Sequence, residues 1–170
     1  MAGNQPFCVT FAGPVGSSKT PIANYLSFNF NLPVFNNDSI RSEVSEDLLD
    51  FNQDEYLKRR DERLNKIIGN KKSIIYDASI DRGWDEKLEI IKNLNFQTFI
   101  ISIDISREFL LKLYKAKSYK TDPKWIGKLM AEHKAFLEKH NDIVNVHITD
   151  ENFKDRLEIC RKELEKWLIQ

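Results

Sequence analysis

Gly13, Lys19 and Thr20 stand at the spacing with which a short loop can hold phosphate. In the pattern G-x-x-x-x-G-K-[ST], glycines let backbone N–H groups close around phosphate oxygens. The lysine neutralises charge, and the hydroxyl helps to hold Mg²⁺. The segment Gly13, Pro14, Val15, Gly16, Ser17, Ser18, Lys19, Thr20 follows this pattern except at its second glycine, where Ser18 stands. A Cβ and a hydroxyl must then fit where backbone approaches phosphate closely. Asp38 and Arg41, three apart at the start of an expected helix, share one helix face. The carboxylate could take a proton from an attacking hydroxyl, and the arginine could hold a substrate anion. Equally, Asp38 could simply cap that helix and Arg41 lie in solvent. Asp77 ends the apolar run 73–77, a place suited to a Mg²⁺-associated carboxylate or, more plainly, to a turn aspartate.

These residues need elements to aim them. Five runs, 7–11, 33–36, 73–77, 96–104 and 143–149, are rich in apolar, β-branched and aromatic residues. They lack regular polar alternation, as strands buried on both faces of a parallel sheet do. Helical periods lie between them. Tyr56, Leu57, Arg60, Leu64, Ile67 and Ile68 form a stripe that Gly69 can stop. A further helix is expected over 85–95. Ser106 is a candidate N-cap for the next, and Pro123 opens another. Segment 151–169 closes the chain as a helix. The pattern β-α-β-α-α-β-α-β-α-α-β-α implies one α/β domain over 1–170, with right-handed crossovers covering both faces of the sheet. The glycine loop follows the first strand directly and runs into a helix. That is the context a phosphate loop requires, because helix N-terminal N–H groups and the dipole both favour an anion. Strand C-terminal ends line the crevice of such sheets, so Asp38 and Arg41 should point toward the loop.

Lys112, Lys115, Lys117, Lys120, Lys124 and Lys128 make a basic strip opposed only by Asp122. It could close as a lid over a transferring phosphoryl group, or be a solvated helix face. Lysine plus arginine and aspartate plus glutamate each number 26, giving zero net charge. This argues against long-range capture of nucleic acid, although a short single-stranded end needs only a local groove. Cys8 and Cys160, each among apolar residues, are expected as buried free thiols in a reducing cytosol. His133, His140 and His147 lack metal-ligand spacing and read as packing or surface residues. No segment reaches the ~18 apolar residues of a membrane span, so a cytoplasmic protein is expected.

On "GPVGSSKT", "NNDSIR", "IIYDAS" and "SIDISREFLLKLYKAK", the chain resembles the small P-loop kinases that include the polynucleotide-kinase domain, zeta-toxin-like kinases and AAA-domain kinases. The resemblance spans nearly the whole chain. It implies a three-layer α/β/α P-loop NTPase fold with a five-stranded parallel sheet in the order 2-3-1-4-5. A small helical lid would cover approximately 112–124. It also implies transfer of the γ-phosphate of ATP, or of GTP, to a hydroxyl-bearing acceptor, with Mg²⁺. Residues 13–20 and Lys115 would hold the nucleotide, while Thr20 and Asp77 would position Mg²⁺. Asp38 would be the base, Arg41 would orient the acceptor, and Lys19 and Lys117 would stabilise the transferring group. The family's lid arginines are matched here by Leu113 and Lys117. Lysine lacks the planar fork of arginine. A second reading is therefore a degenerate nucleotide-binding module, a sensor or partner protein with little or no kinase activity.

Overall fold

The computed structural model describes residues 5–81, 95–120 and 122–169. Its five strands are β1 (Phe7–Ala12), β2 (Val34–Asn36), β3 (Ile74–Ser79), β4 (Gln97–Ile103) and β5 (Val146–Ile148). The described helices are α1 (Lys19–Phe30), α2 (Asn37–Leu48), α3 (Gln53–Gly69), α4 (Arg107–Ala116), α5 (Pro123–His140) and α6 (Arg156–Ile169). All strand pairings are parallel, in the order β2-β3-β1-β4-β5, as expected. The helix expected over 85–95 falls almost wholly outside the described residues.

The strands read as continuous apolar runs because both sheet faces are covered. Val9 and Phe11 of β1 and Phe99, Ile101 and Ile103 of β4 pack with Ile22 and Leu26 of α1 and Cys160 and Leu164 of α6. On the opposite face, Ala12 and Ile100 meet Phe136 of α5, while Cys8 and Ile74 are covered by Ile67 and Ile68 of α3. Each fully buried Ile, Leu or Phe contributes about 1.5–3 kcal/mol of transfer free energy. The α5 side also holds polar groups, since Ser102 and His133 meet there and both are buried. Both thiols are buried and free, and burial pushes each up to about 12, which leaves them unreactive near neutral pH.

Local signals set the helix ends. Ser106 Oγ accepts the Phe109 N–H at the start of α4, and Pro123 opens α5 behind an Asp122 cap. The Asn52 side chain caps α3, which runs to Gly69. Among the described residues no helix is long and apolar enough to cross a membrane.

Candidate functional site

Asp77 and Ala78 have no partner on β1. Thr10 pairs with Tyr76, and the next residue, Phe11, pairs with Ser79. A regular strand sends alternate side chains to opposite faces, whereas a bulge re-aims them. Here it lets Asp77, Ala78 and Ser79 all line one cavity of about 810 Å³ at the C-terminal end of the sheet. The other walls come from the loop and first turn of α1 (Gly16, Ser18, Lys19, Thr20) and from Asn37 and Asp38 of α2. Lys117 and Tyr119, just beyond α4, complete it.

The loop is held by its own lysine. Lys19 Nζ donates to Gly13 O at 2.9 Å, Pro14 O at 2.7 Å and Ser17 Oγ at 3.3 Å. These bonds keep its charge at the centre of the loop, where the N-terminus of α1 adds positive potential. Ser18 takes the conformation of the glycine it replaces, with φ 78° and ψ 38° in the left-handed region. It is 8% exposed, lines the cavity, and makes no side-chain capping bond. A left-handed residue with a Cβ costs roughly 1–2 kcal/mol. Ser18→Gly is therefore expected to stabilise the nucleotide-free protein by about 1 kcal/mol, after subtracting the extra backbone entropy of glycine. Urea unfolding checks this; a lower midpoint at unchanged slope would mean that the hydroxyl is a structural ligand.

Asn36 organises the carboxylates. Its Oδ1 accepts the N–H groups of Asp38 at 2.8 Å and Ser39 at 3.1 Å, so Asn36, and not Asp38, caps α2. Its Nδ2 donates to Asp77 Oδ2 at 2.7 Å. Burial pushes the Asp77 carboxyl above its usual range, and the charge of Asp38 acts the same way. Hydrogen bonds from Thr20 and Asn36 and the charge of Lys19 offset part of this. Thr20 and Asp77 thus meet at the cavity floor, where a cation would relieve the ionised carboxylate. Among the described residues no three His, Cys, Asp or Glu side chains gather to hold a metal. One hydroxyl and one carboxylate fit Mg²⁺ shared with phosphate oxygens and water, and do not fit a protein-caged ion.

From α4, the Tyr114 hydroxyl donates to Val15 O at 2.8 Å. Lys117 Nζ donates to Gly16 O at 2.8 Å and lies 5.7 Å from the Tyr119 ring. Desolvation, and then the charge of Arg156, hold the Lys117 ammonium below its usual range. Of the expected residues, Gly13, Pro14 and Ser17 of the loop, Arg41 and Lys115 do not line the cavity. The Arg41 guanidinium does not line the cavity but stacks 4.2 Å from the Phe51 ring, where cation–π attraction and the apolar surface hold it. Lys115 is exposed and also outside the lining. Leu113, opposite the position of a lid arginine, packs against the core. Asn24 and Tyr119 line the cavity although neither lies in a quoted motif.

No protein-family model matches the sequence, and no curated protein matches it either. The fold is similar to that of a gluconokinase from Sinorhizobium meliloti 1021, with a TM-score of 0.68 at 9% identity, covering 96% of this chain and 94% of that one. A shikimate kinase from Aquifex aeolicus gives 0.60 at 16%, covering 96% and 99%. The structure described for the PezAT toxin–antitoxin system of Streptococcus pneumoniae gives 0.59 at 15%, covering 98% and 88%. The chain therefore shares the α/β fold of these kinase structures.

Proposed function

We propose that the protein is an ATP-dependent phosphotransferase acting on a hydroxyl of a small molecule, a nucleotide or a nucleic-acid end. The observation that carries this reading is the shared cavity. Lys19 and Thr20 at the phosphate loop, Asp77 on the bulge and Asp38 at the head of α2 all line it. Lys19 and the loop N–H groups would bind the β- and γ-phosphates. Thr20 and Asp77 would hold Mg²⁺, which supplies charge neutralisation between those phosphates. Asp38 would accept the acceptor's proton as its oxygen bonds to the γ-phosphorus and the bond to the departing ADP breaks. Lys117, close to the loop, would place a cation beside the transferring group, and Arg41 and Lys115 would need side-chain movement to take part. Positioning and electrostatics supply most of the acceleration in such reactions.

Thermal unfolding with and without Mg·ATP is the first test. Mg·ATP at about 100 times its dissociation constant is expected to add about 2.7 kcal/mol. No shift at millimolar Mg·ATP would remove both the kinase and the nucleotide-sensor readings. A shift without transfer of labelled phosphate to nucleosides, oligonucleotide ends, sugars or nucleotide sugars would leave the binding module.

A further inference from the structure

Asp81 and His133 do not line the cavity, yet both are buried ionisable groups directly beneath the phosphate loop. Their side chains are 5% and 2% exposed. Both carboxylate oxygens of Asp81 lie 2.9 Å from the Gly13 N–H, and Oδ2 lies 3.0 Å from His133 Nδ1. On its other side, His133 Nε2 is 3.4 Å from Ser102 Oγ on β4 and 3.9 Å from the half-exposed carboxylate of Asp104. An Nδ1–H donor to Asp81 leaves Nε2 to accept from the Ser102 hydroxyl, or to face Asp104 when protonated.

Gly13 is where the strand becomes the loop, and both peptide groups beside its Cα are pinned. Asp81 takes the N–H of one. Ser79 Oγ, at 2.9 Å, and Lys19 Nζ donate to the C=O of the other. The φ between them is 141°, which an L side chain rarely adopts, and a Cβ would lie 3.0 Å from Ile103 Cβ. Two fixed peptide planes leave the backbone no freedom at the point where the loop departs. A packed apolar pair would fill the same space without the cost of burying a carboxylate. It could not offer Gly13 a charged acceptor, which makes a stronger hydrogen bond than a neutral one.

We propose that Asp81 and His133 are positioning residues for the phosphate loop: the imidazole on α5 orients the carboxylate, and the carboxylate fixes the Gly13 peptide so that the following N–H groups face phosphate. This ties the helix after the lid segment to the loop's entry, and its effect on nucleotide binding rests on the phosphotransferase reading. Burial alone would raise the Asp81 carboxyl. The hydrogen bond and charge of His133, the Gly13 N–H and the charge of Lys19 outweigh that and keep it ionised.

The test uses the ¹⁵N-labelled full chain. In the wild type the Gly13 amide proton is expected far downfield and protected from exchange; a rapidly exchanging, unshifted amide would overturn the proposal without any variant. Asp81→Asn is expected to move that resonance upfield and to weaken Mg·ATP binding by about tenfold or more, the loss of a bond to a charged group. His133→Asn keeps a donor where Nδ1–H stands and should stay near wild type in both readouts, whereas His133→Leu should follow Asp81→Asn. An unmoved Gly13 amide and unchanged affinity in Asp81→Asn would overturn the pair's role, as would equal damage from His133→Asn and His133→Leu. If the wild type fails to bind Mg·ATP, the phosphotransferase reading falls, while the Gly13 resonance still decides whether the pair positions the loop.

Discussion

Asp38→Asn is expected to lower phosphate transfer by roughly 10²–10⁴-fold, the usual contribution of a general base, while Mg·ATP still binds. The substitution is informative because Asn36 already performs the structural task at this helix start. Its Oδ1 accepts the N–H groups of Asp38 and Ser39, so the Asp38 side chain is not needed as a cap. Asp38 lines the cavity with Lys19, Thr20 and Asp77. Its charge pushes the Asp77 carboxyl upward, so the asparagine should make Asp77 easier to ionise. Magnesium-dependent binding should therefore survive. Labelled-phosphate transfer, measured with the thermal shift given by Mg·ATP, separates the two effects. Turnover equal to wild type would remove Asp38 from the proton path, and loss of the thermal shift would mean that it serves binding.

Gly16→Ala is expected to destabilise the chain by about 3 kcal/mol, by adding overpacking to left-handed strain. The glycine φ is 81°, and a Cβ there would lie 2.2 Å from Tyr114 Cε1. That ring cannot retreat cheaply, because Tyr114 is 3% exposed, donates to Val15 O and packs edge-on against Tyr119 at 5.5 Å. The clash term should largely vanish in a Tyr114→Ala background, while the strain term remains. A double-mutant cycle on urea unfolding is then expected to show coupling of about 1–3 kcal/mol. Equal costs of Gly16→Ala in both backgrounds would mean that α4 does not press on the loop. The same contact explains why glycine is retained at residue 16 while serine is accepted at residue 18. Both positions are left-handed, but only at Gly16 does a ring occupy the space a Cβ would take.

Much of this arrangement was legible in the chain. Strand identity could be read from unbroken apolar runs, because burial on both sheet faces removes polar alternation. The Ser106 cap and the start at Pro123 could be read because both act within the first turn of their own helix. The spacing of Gly13, Lys19 and Thr20 was legible for the same reason, since a loop and the helix it opens are contiguous. Arg41 shows where such reasoning stops. Helical spacing puts it on the Asp38 face, but Phe51, beyond the end of α2, offers its ring and draws the guanidinium away from the cavity.

Asp77, expected to end a strand, stands inside β3, which runs on to Ser79, but the strands, the described helices and the phosphate-loop pattern could be read from the chain alone. These depend on neighbours along the chain and on a hydrophobic period. How the loop is held depends instead on contacts between distant segments. His133 meets Asp81 across 52 residues, and Lys117 reaches Gly16 O across 101. The bulge that turns Asp77 and Ser79 to one cavity exists only where β3 lies beside β1. Such contacts are chosen by how packed layers approach one another, and a lone histidine, tyrosine or aspartate carries no local mark of the partner that packing will bring to it.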